Sequence, residues 1–383
     1  MNPYSFLNPV TESNMFYGYQ PELERIVQKV TDRRPISFFV IGGRSMGKTS
    51  LLHRVEQCLR GFNIQPSVDD YCQIVIPLYI DILNIDAPLN GFFGTIADKL
   101  SLLLATVPLS QDDLMRRRRS LQSVKIGLEP FGSLSEELQE LARALSPKRL
   151  RVVLLVDNLL RKRHNTDRQD IDSTFIRNLR AFLTHPPLDR LVSAVVTGSH
   201  AEYEAIMVPS SPLDNILVLA NLHVFDEEQS LAFIHEPTSS KIPLKVAREV
   251  YVETGGHPFL LHYMMWELCS HKDWGALTVE NVYQATERFN RERKDFQRWW
   301  EKLGEADRKI YAVFLREERA SVDDLVRMML TIPGAGGKPQ IVMWPMIENS
   351  LWILIRMGLI RECPNGLYEL AGRWPARMFR RMG

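Results

Sequence analysis

The sequence predicts an α/β fold: a parallel β-sheet with helices on both faces, followed by a small helical lid bundle and a winged-helix domain. Apolar strand-like segments alternate with amphipathic helical segments between residues 36 and 220, which is typical of a parallel sheet. Short helical segments without strands follow from residue 226. From about residue 296, further helical segments precede two short apolar runs joined by Asn365-Gly366, a hairpin signal.

The first predicted strand, residues 36–41, runs into a turn that fits G-x-x-x-x-G-K-[ST], the phosphate-binding loop or P-loop. Glycines in such a turn let backbone N–H groups point at phosphate, and the next helix offers its positive end. We expect Lys48 to reach the β- and γ-phosphates and the Thr49 hydroxyl to bind Mg²⁺. The predicted nucleotide-binding residues here are Gly42, Gly43, Arg44, Ser45, Met46, Gly47, Lys48, Thr49 and Ser50.

The predicted strand 150–156 ends at Asp157, where an aspartate can hold the Mg²⁺ shell. Asn158 follows, at a position where ATPases of this layout usually carry a glutamate that polarises the attacking water. An amide orients water but cannot accept its proton, so we expect slow hydrolysis. Lys48, Asp157 and Asn158 are the predicted catalytic residues, and Thr49 and Asp157 the predicted metal ligands. Asp81, Asp170 or a neighbouring chain are the alternatives for the missing base.

Three other positions have two interpretations each. Tyr17 and Gly18 could wrap a flat base, or they could belong to a strap on the core. Ser199 and His200 end the strand that normally carries a γ-phosphate sensor, although a structural role is the alternative. Arg44 could contact phosphate or a nearby carboxylate. No Asn-Lys-x-Asp element for guanine occurs, so the expected ligand is ATP with Mg²⁺.

The chain has 383 residues, a formal net charge of +1 and four isolated cysteines. The spacing of the cysteines excludes zinc and disulfide frameworks, and the overall charge makes no general case for nucleic acid or an acidic membrane. With neither a signal-peptide pattern nor a long apolar run, we expect a cytoplasmic protein with no membrane partner. The predicted units are a flanking segment, an NTPase core, a helical lid and a winged helix, at residues 1–35, 36–225, 226–295 and 296–383.

Taken together, these motifs resemble the STAND class of P-loop ATPases, the AAA-related signal-transducing NTPases of bacteria and archaea. The opening Asn2-Pro-Tyr, the segment from Phe16 to Gly18, the P-loop and Thr254-Gly-Gly-His-Pro258 carry the resemblance. It implies that Pro258 lies against the nucleotide and that nucleotide state controls the lid and the winged helix. It also implies protein partners with effector or sensor functions, in signalling or defence, and a homo- or hetero-oligomer.

Several features depart from the family: Tyr19 replaces an arginine, Asn158 replaces the glutamate, His200 replaces an arginine, and the winged helix has no obvious histidine-aspartate pair. An inactive ATPase kept as a scaffold is therefore one alternative. The other is a DNA-acting ATPase of the replication-initiator or transposition type, which joins the same fold to a winged helix. The predicted recognition helix, residues 343–357, offers only Arg356 beside two tryptophans, which favours a protein interface. The basic C-terminal residues keep DNA as the alternative partner: Arg373, Arg377, Arg380 and Arg381.

Overall fold

The computed structural model describes most of the chain in two compact units. We call them the sheet unit, Tyr19–Ile41 with Lys48–Asn221, and the winged-helix unit, Met1–Gly18 with Gly42–Gly47 and Leu222–Gly383. The described residues are 2–62, 74–85, 88–126, 130–145, 150–159, 173–206, 211–213, 215–331 and 344–382. Asp170 and Cys72 lie outside them.

The sheet unit is built on five parallel strands in the order β2-β3-β4-β1-β5, which confirms the predicted parallel sheet. Every residue of β3 is buried, because a strand in the middle of such a sheet is covered on both faces. The carboxyl ends of all five strands meet at one edge of the sheet. The strands are β1 (Ser37–Ile41), β2 (Ile74–Asp81), β3 (Leu150–Asp157), β4 (Val192–Gly198) and β5 (Leu217–Asn221).

Seven helices of the sheet unit are described: α1 (Gln20–Thr31), α2 (Lys48–Phe62), α3 (Pro88–Leu103), α4 (Gln111–Ile126), α5 (Pro130–Ala144), α6 (Ser173–Thr184) and α7 (His200–Ile206). The apolar stripe of α2 is buried as its spacing predicts, with Leu51, Leu52 and Val55 fully covered. The run Arg116–Arg119 lies in α4, and a run of like charges is normally a solvated helix face. Arg117 departs from this pattern because it is buried, with its guanidinium 3.3 Å from the carboxylate of Glu137, and it forms an ion pair inside the protein.

The winged-helix unit contains a helical lid bundle and a three-helix domain with a small antiparallel sheet, ordered β6-β8-β7. The predicted lid and winged helix are therefore confirmed as part of the fold class. Its elements are α8 (Glu227–His235), α9 (Leu244–Thr254), α10 (Pro258–Leu268), α11 (Val279–Glu292), α12 (Asp295–Lys302), α13 (Glu305–Glu317), β6 (Arg319–Ala320), α14 (Val322–Thr331), α15 (Trp344–Arg356), β7 (Ile360–Glu362), β8 (Tyr368–Leu370) and α16 (Arg373–Arg380). The sequence reading did not include α11, α12 and α16.

An aromatic cluster joins α16 to the lid inside this unit. Trp374 is fully buried, its ring lies 4.9 Å from that of Phe289, and its indole N–H donates to Asn290 at 3.0 Å. The first residues of the chain also belong here, because the buried Tyr4 hydroxyl donates to the carbonyls of Phe233 and Ile234. Among the described helices, none combines the length and apolar character needed to cross a bilayer.

Candidate functional site

The predicted metal ligands meet within the sheet unit. Thr49 lies in the first turn of α2, and its hydroxyl donates to the carboxylate of Asp157 at 2.7 Å. Asp157 is the last residue of β3 and is 2% exposed. A helix N-terminus favours anions, while a hydroxyl and a carboxylate are ligands that Mg²⁺ takes in P-loop ATPases. The donor set at these residues therefore fits Mg²⁺.

Among the described residues, Asp157 also accepts three other hydrogen bonds, so four donors there surround its two oxygens. Tyr79 donates its hydroxyl at 3.1 Å, Thr197 donates its hydroxyl, and the Asn158 backbone N–H donates at 3.2 Å. The pKa of Tyr79 is raised by burial and then by the carboxylate of Asp157. This environment holds the carboxylate in one orientation at the end of β3.

Asn158 follows β3 with φ of +55°, a left-handed conformation that asparagine tolerates better than most residues. Its side-chain N–H donates to the carboxylate of Asp81 at 3.1 Å. Asp81 ends β2 directly opposite Asp157 in the parallel register. The sequence suggested Asp81 as one substitute for the missing base, and the structure places Asp81 beside Asn158.

The suggested γ-phosphate sensors have local partners. The Ser199 backbone N–H donates to the carboxylate of Glu202, and the His200 imidazole lies 3.2 Å from the carboxylate of Glu204. These contacts are those of residues that begin the short helix α7. The β4 residue whose side chain touches Asp157 is Thr197.

The first part of the P-loop packs within the winged-helix unit. The Gly43 N–H donates to the carbonyl of Arg356 at 2.7 Å, and Arg356 is the last residue of α15. A Cβ at Gly43 would lie 2.5 Å from that oxygen and 2.9 Å from the Cα of Met357, so only glycine fits. Met46 is fully buried, whereas Arg44 is exposed.

Pro258 begins α10 and is buried, as is the preceding His257. The His257 ring stacks on Trp299 with centroids 4.8 Å apart, and burial lowers its pKa to about 3. Neither ring nitrogen has a hydrogen-bond partner among the described residues. The neighbouring pair Gly255 and Gly256 has positive φ and no room for side chains, so close packing requires both glycines.

Tyr17 and Gly18 contact the lid helix α8. The Tyr17 hydroxyl donates to Glu236 at 3.0 Å, its ring packs edge-on against Phe233, and burial raises its pKa to about 12. The Gly18 carbonyl accepts from the Gln229 side chain at 3.1 Å. These contacts are those of a segment that packs against the protein. A role of Tyr17 and Gly18 in contacting the base of the nucleotide stays a prediction.

The surface of α15 carries Trp344 and Trp352, which are 47% and 44% exposed. The Arg356 guanidinium lies 3.7 Å from the centre of the Trp352 ring and is 4% exposed. In α16, Arg377 is bound through both nitrogens to the buried carboxylate of Glu253. Arg380 donates to the Leu315 carbonyl. Three of the arginines considered for DNA contact therefore have partners inside the protein.

The sequence interpretation missed Tyr79, Thr197 and the main-chain role of Arg356. Tyr79 lies two residues before Asp81, so strand alternation places both side chains on one face of β2. Thr197 could have been found as the last polar residue of the apolar strand β4, because the carboxyl ends of β3 and β4 share one edge of the sheet. No sequence signal marks the bond between Gly43 and Arg356, since both groups belong to the backbone.

No protein-family model matches this chain, and no curated protein matches it. Its fold is similar to that of a Walker-type ATPase of Pyrococcus abyssi, with a TM-score of 0.58, 16% identity, and coverage of 98% of this chain and 99% of the other. It is also similar to the Aeropyrum pernix ORC2 protein in its ADPNP-ADP complexes, with a TM-score of 0.53, 14% identity, and coverage of 96% and 94%. At these identities the similarity shows the fold of a P-loop ATPase and does not support the STAND subclass.

Proposed function

We propose that this protein is an ATP- and Mg²⁺-binding ATPase of the AAA-related type in which the P-loop and the winged helix are linked. The observation that carries the proposal is the hydrogen bond from the Gly43 N–H to the Arg356 carbonyl. It joins a residue of the nucleotide-binding motif to the end of α15. A nucleotide that changes the shape of the P-loop then acts on this bond.

The nucleotide can shift the docking of α15 only by its difference in affinity for the docked and undocked states. The γ-phosphate distinguishes ATP from ADP, so it is the natural source of that difference. In this proposal Lys48 holds the phosphates, while Thr49 and Asp157 hold Mg²⁺. The metal then screens charge on the transferred phosphoryl group when it is bound. Because Asn158 replaces a glutamate, turnover is slow compared with the roughly 10 per second of an ordinary enzyme.

ATP binding is tested by calorimetry with Mg²⁺, comparing the native protein with Lys48→Ala and with Lys29→Ala as the matched control. We expect Lys48→Ala to lose at least tenfold in affinity (about 1.4 kcal/mol) and Lys29→Ala to bind like the native protein. Equal affinity in both variants refutes nucleotide binding at the P-loop. The link to the winged helix is tested by the fluorescence of the exposed Trp352 with ATP, ADP and no nucleotide. Identical spectra in the three states refute the switch.

The macromolecular partner we propose is duplex DNA. Residues 296–383 contain 14 Lys and Arg against 10 Asp and Glu, a net charge of +4 in a chain whose total is +1. Arg373 and Arg381 at the two ends of α16 are exposed. The fold similarities do not support STAND signalling, which leaves the DNA-acting alternative as the interpretation that these basic side chains favour. Binding should weaken steeply with salt, as counterion release requires, and should fall in an Arg373→Ala, Arg381→Ala variant.

A protein partner is the second candidate, favoured by the exposure of Trp344 and Trp352 on α15. Large aromatic side chains are enriched at protein interfaces, whereas a DNA-reading helix presents several basic side chains to the groove. A Trp344→Ala, Trp352→Ala variant separates the two candidates. If this variant keeps full DNA affinity and the arginine variant loses it, DNA is the partner. If neither the native protein nor the variants bind DNA in low salt, the DNA proposal is wrong.

A further inference from the structure

A carboxylate lies within hydrogen-bond distance of the amide that replaces the usual glutamate. The Asn158 side-chain N–H donates to Asp81 Oδ1 at 3.1 Å. The two residues come from neighbouring parallel strands, and Asp81 is opposite Asp157 in the register of β2 and β3. Because Asp157 is bound to the Thr49 hydroxyl, Asp81 and Asn158 lie beside the predicted Mg²⁺ ligands.

The Asp81 carboxylate is held by three donors among the described residues. Besides Asn158, the Leu83 backbone N–H donates to Oδ1 at 3.0 Å and the Asn84 side chain donates to Oδ2 at 2.8 Å. A carboxylate offers about four lone-pair directions, so within the described part of the chain one acceptor position is left on Oδ2. The group is only half-buried, which leaves it open to water.

Asn158 is itself held firmly. Its backbone N–H donates to the Asp157 carboxylate at 3.2 Å and to the Thr197 hydroxyl at 3.3 Å, in the left-handed conformation described above. Its side-chain N–H is directed to Asp81, so its amide oxygen can accept a hydrogen bond from a water molecule. An amide in this place can orient water, and the adjacent carboxylate can take the proton that the amide cannot.

We propose that the general base is Asp81 at the end of β2, in place of a glutamate after β3. Asp81 accepts the proton of the attacking water, and Asn158 is the residue that positions both the water and Asp81. This inference rests on the proposed ATPase function. The water oxygen forms a bond to the γ-phosphorus of ATP while the bond from that phosphorus to the β–γ bridging oxygen breaks. The bridging oxygen leaves with the electron pair as part of ADP. The water proton passes to Asp81 and from there to solvent or phosphate.

The competing explanation is structural, because Asp81 also caps the 3₁₀ turn Ile82–Asn84. Asp81→Asn separates the two, since asparagine caps a turn about as well as aspartate but is no base. We expect the turnover number of Asp81→Asn to fall roughly 10²- to 10⁴-fold, with unchanged affinity for Mg²⁺-ATP. The acid limb of its pH–rate profile should disappear. Asp189→Asn, in the 3₁₀ turn Leu188–Arg190, is the matched control and should keep the native rate.

The stronger test exchanges the two groups. Asp81→Asn combined with Asn158→Glu restores a carboxylate beside an amide, and we expect it to recover at least tenfold of the rate that Asp81→Asn loses. Asn158→Glu alone places two carboxylates together, which raises the pKa of one of them. Its acid limb should therefore move to higher pH. The Asn158→Glu measurement does not depend on Asp81→Asn being well folded.

Several results overturn the inference. A rate within threefold of native in Asp81→Asn, an unchanged acid limb, or no recovery in the exchanged variant each assigns Asp81 to capping alone. If the native protein binds ATP through Lys48 but does not hydrolyse it, the assignment of Asp81 as the general base is wrong, whereas the proposed nucleotide binding stands. A native protein that does not bind ATP refutes both this inference and the proposed function. A rate that rises with protein concentration and is equal in Asp81→Asn assigns the base to a neighbouring chain.

Discussion

Replacement of Gly43 by alanine perturbs the contact between the P-loop and α15 at a single atom. The added Cβ would lie 2.5 Å from the Arg356 carbonyl oxygen and 2.9 Å from the Met357 Cα. Both are backbone atoms, so neither can move aside as the end of a flexible side chain would. The hydrogen bond of 2.7 Å from the Gly43 N–H to that carbonyl must therefore lengthen or break.

The size of the effect follows from these two terms. Loss of one backbone hydrogen bond costs about 0.5–1.5 kcal/mol, and forcing an extra methyl group into a packed position costs about 1–3 kcal/mol. Together they shift the docking of α15 by roughly 1.5–4.5 kcal/mol. At about 1.4 kcal/mol for each factor of ten, the undocked population should rise roughly 10- to 1,600-fold.

The measurement is hydrogen exchange by mass spectrometry on peptides that cover residues 43 and 356–358. We expect faster exchange in Gly43→Ala without nucleotide. Gly61→Ala is the matched control, because no atom lies within 4 Å of a Cβ at that position in α2. Gly61→Ala should stabilise the helix by about 0.5–1 kcal/mol and leave exchange near Arg356 unchanged. Equal exchange at residues 356–358 in the two variants would show that the contact does not hold α15.

Three further predictions follow from the site. The folded state keeps His257 neutral with a pKa of about 3, against an ordinary value of 6.5, so the unfolded state binds the extra proton. The free energy of unfolding should therefore fall as the pH drops from about 6.5 towards 3, by about 2 kcal/mol at pH 5, and His257→Phe should flatten this dependence in urea titrations. Arg377→Ala leaves the buried Glu253 carboxylate without its bidentate partner and should cost about 2–3 kcal/mol, after allowance for the partial exposure of Arg377. Thr49→Ala removes the hydroxyl bound to Asp157 and should raise the Mg²⁺ concentration needed for ATP binding roughly ten- to hundredfold in calorimetry.

Each of these has a matched control. His271→Phe changes an exposed histidine, and an equal pH slope in both histidine variants would contradict the assignment to His257. Arg248→Ala breaks an exposed ion pair worth about 1 kcal/mol or less, so an equal loss in Arg377→Ala would contradict the buried-pair argument. Thr95→Ala removes a hydroxyl bound within α3, and the same Mg²⁺ requirement as in Thr49→Ala would contradict metal binding at α2.

Much of the fold could be predicted from local signals. The five strands were found because each is an apolar run that ends at a glycine or a polar residue, and the lid helices because proline, glycine and aspartate mark their ends. Helices α11, α12 and α16 were missed although all three are strongly amphipathic in the structure, because charged residues dominate their sequences. The apolar residues of these helices can be recognised as core residues only from their contacts in the aromatic cluster around Trp374.

The candidate site divides in the same way. Thr49 and Asp157 could be paired from sequence, since a P-loop helix and the carboxyl end of another strand of the same parallel sheet share one edge of that sheet. The role of Arg356 could not be predicted. The sequence singled it out only as the one basic side chain of a helix that favours a protein interface, whereas the structure places its guanidinium over Trp352 and uses its carbonyl as the acceptor for Gly43.

The fold class, the nucleotide-binding motif and the absence of a glutamate after Asp157 follow from residue type and spacing along the chain, so they can be predicted without coordinates. Which groups meet across the strands and helices is visible only in the folded chain: Asp81 with Asn158, Tyr79 and Thr197 with Asp157, and Gly43 with Arg356. The physical reason is that hydrogen bonds between residues some 40 to 300 positions apart depend on strand register and on backbone groups, which every residue carries and no sequence pattern distinguishes.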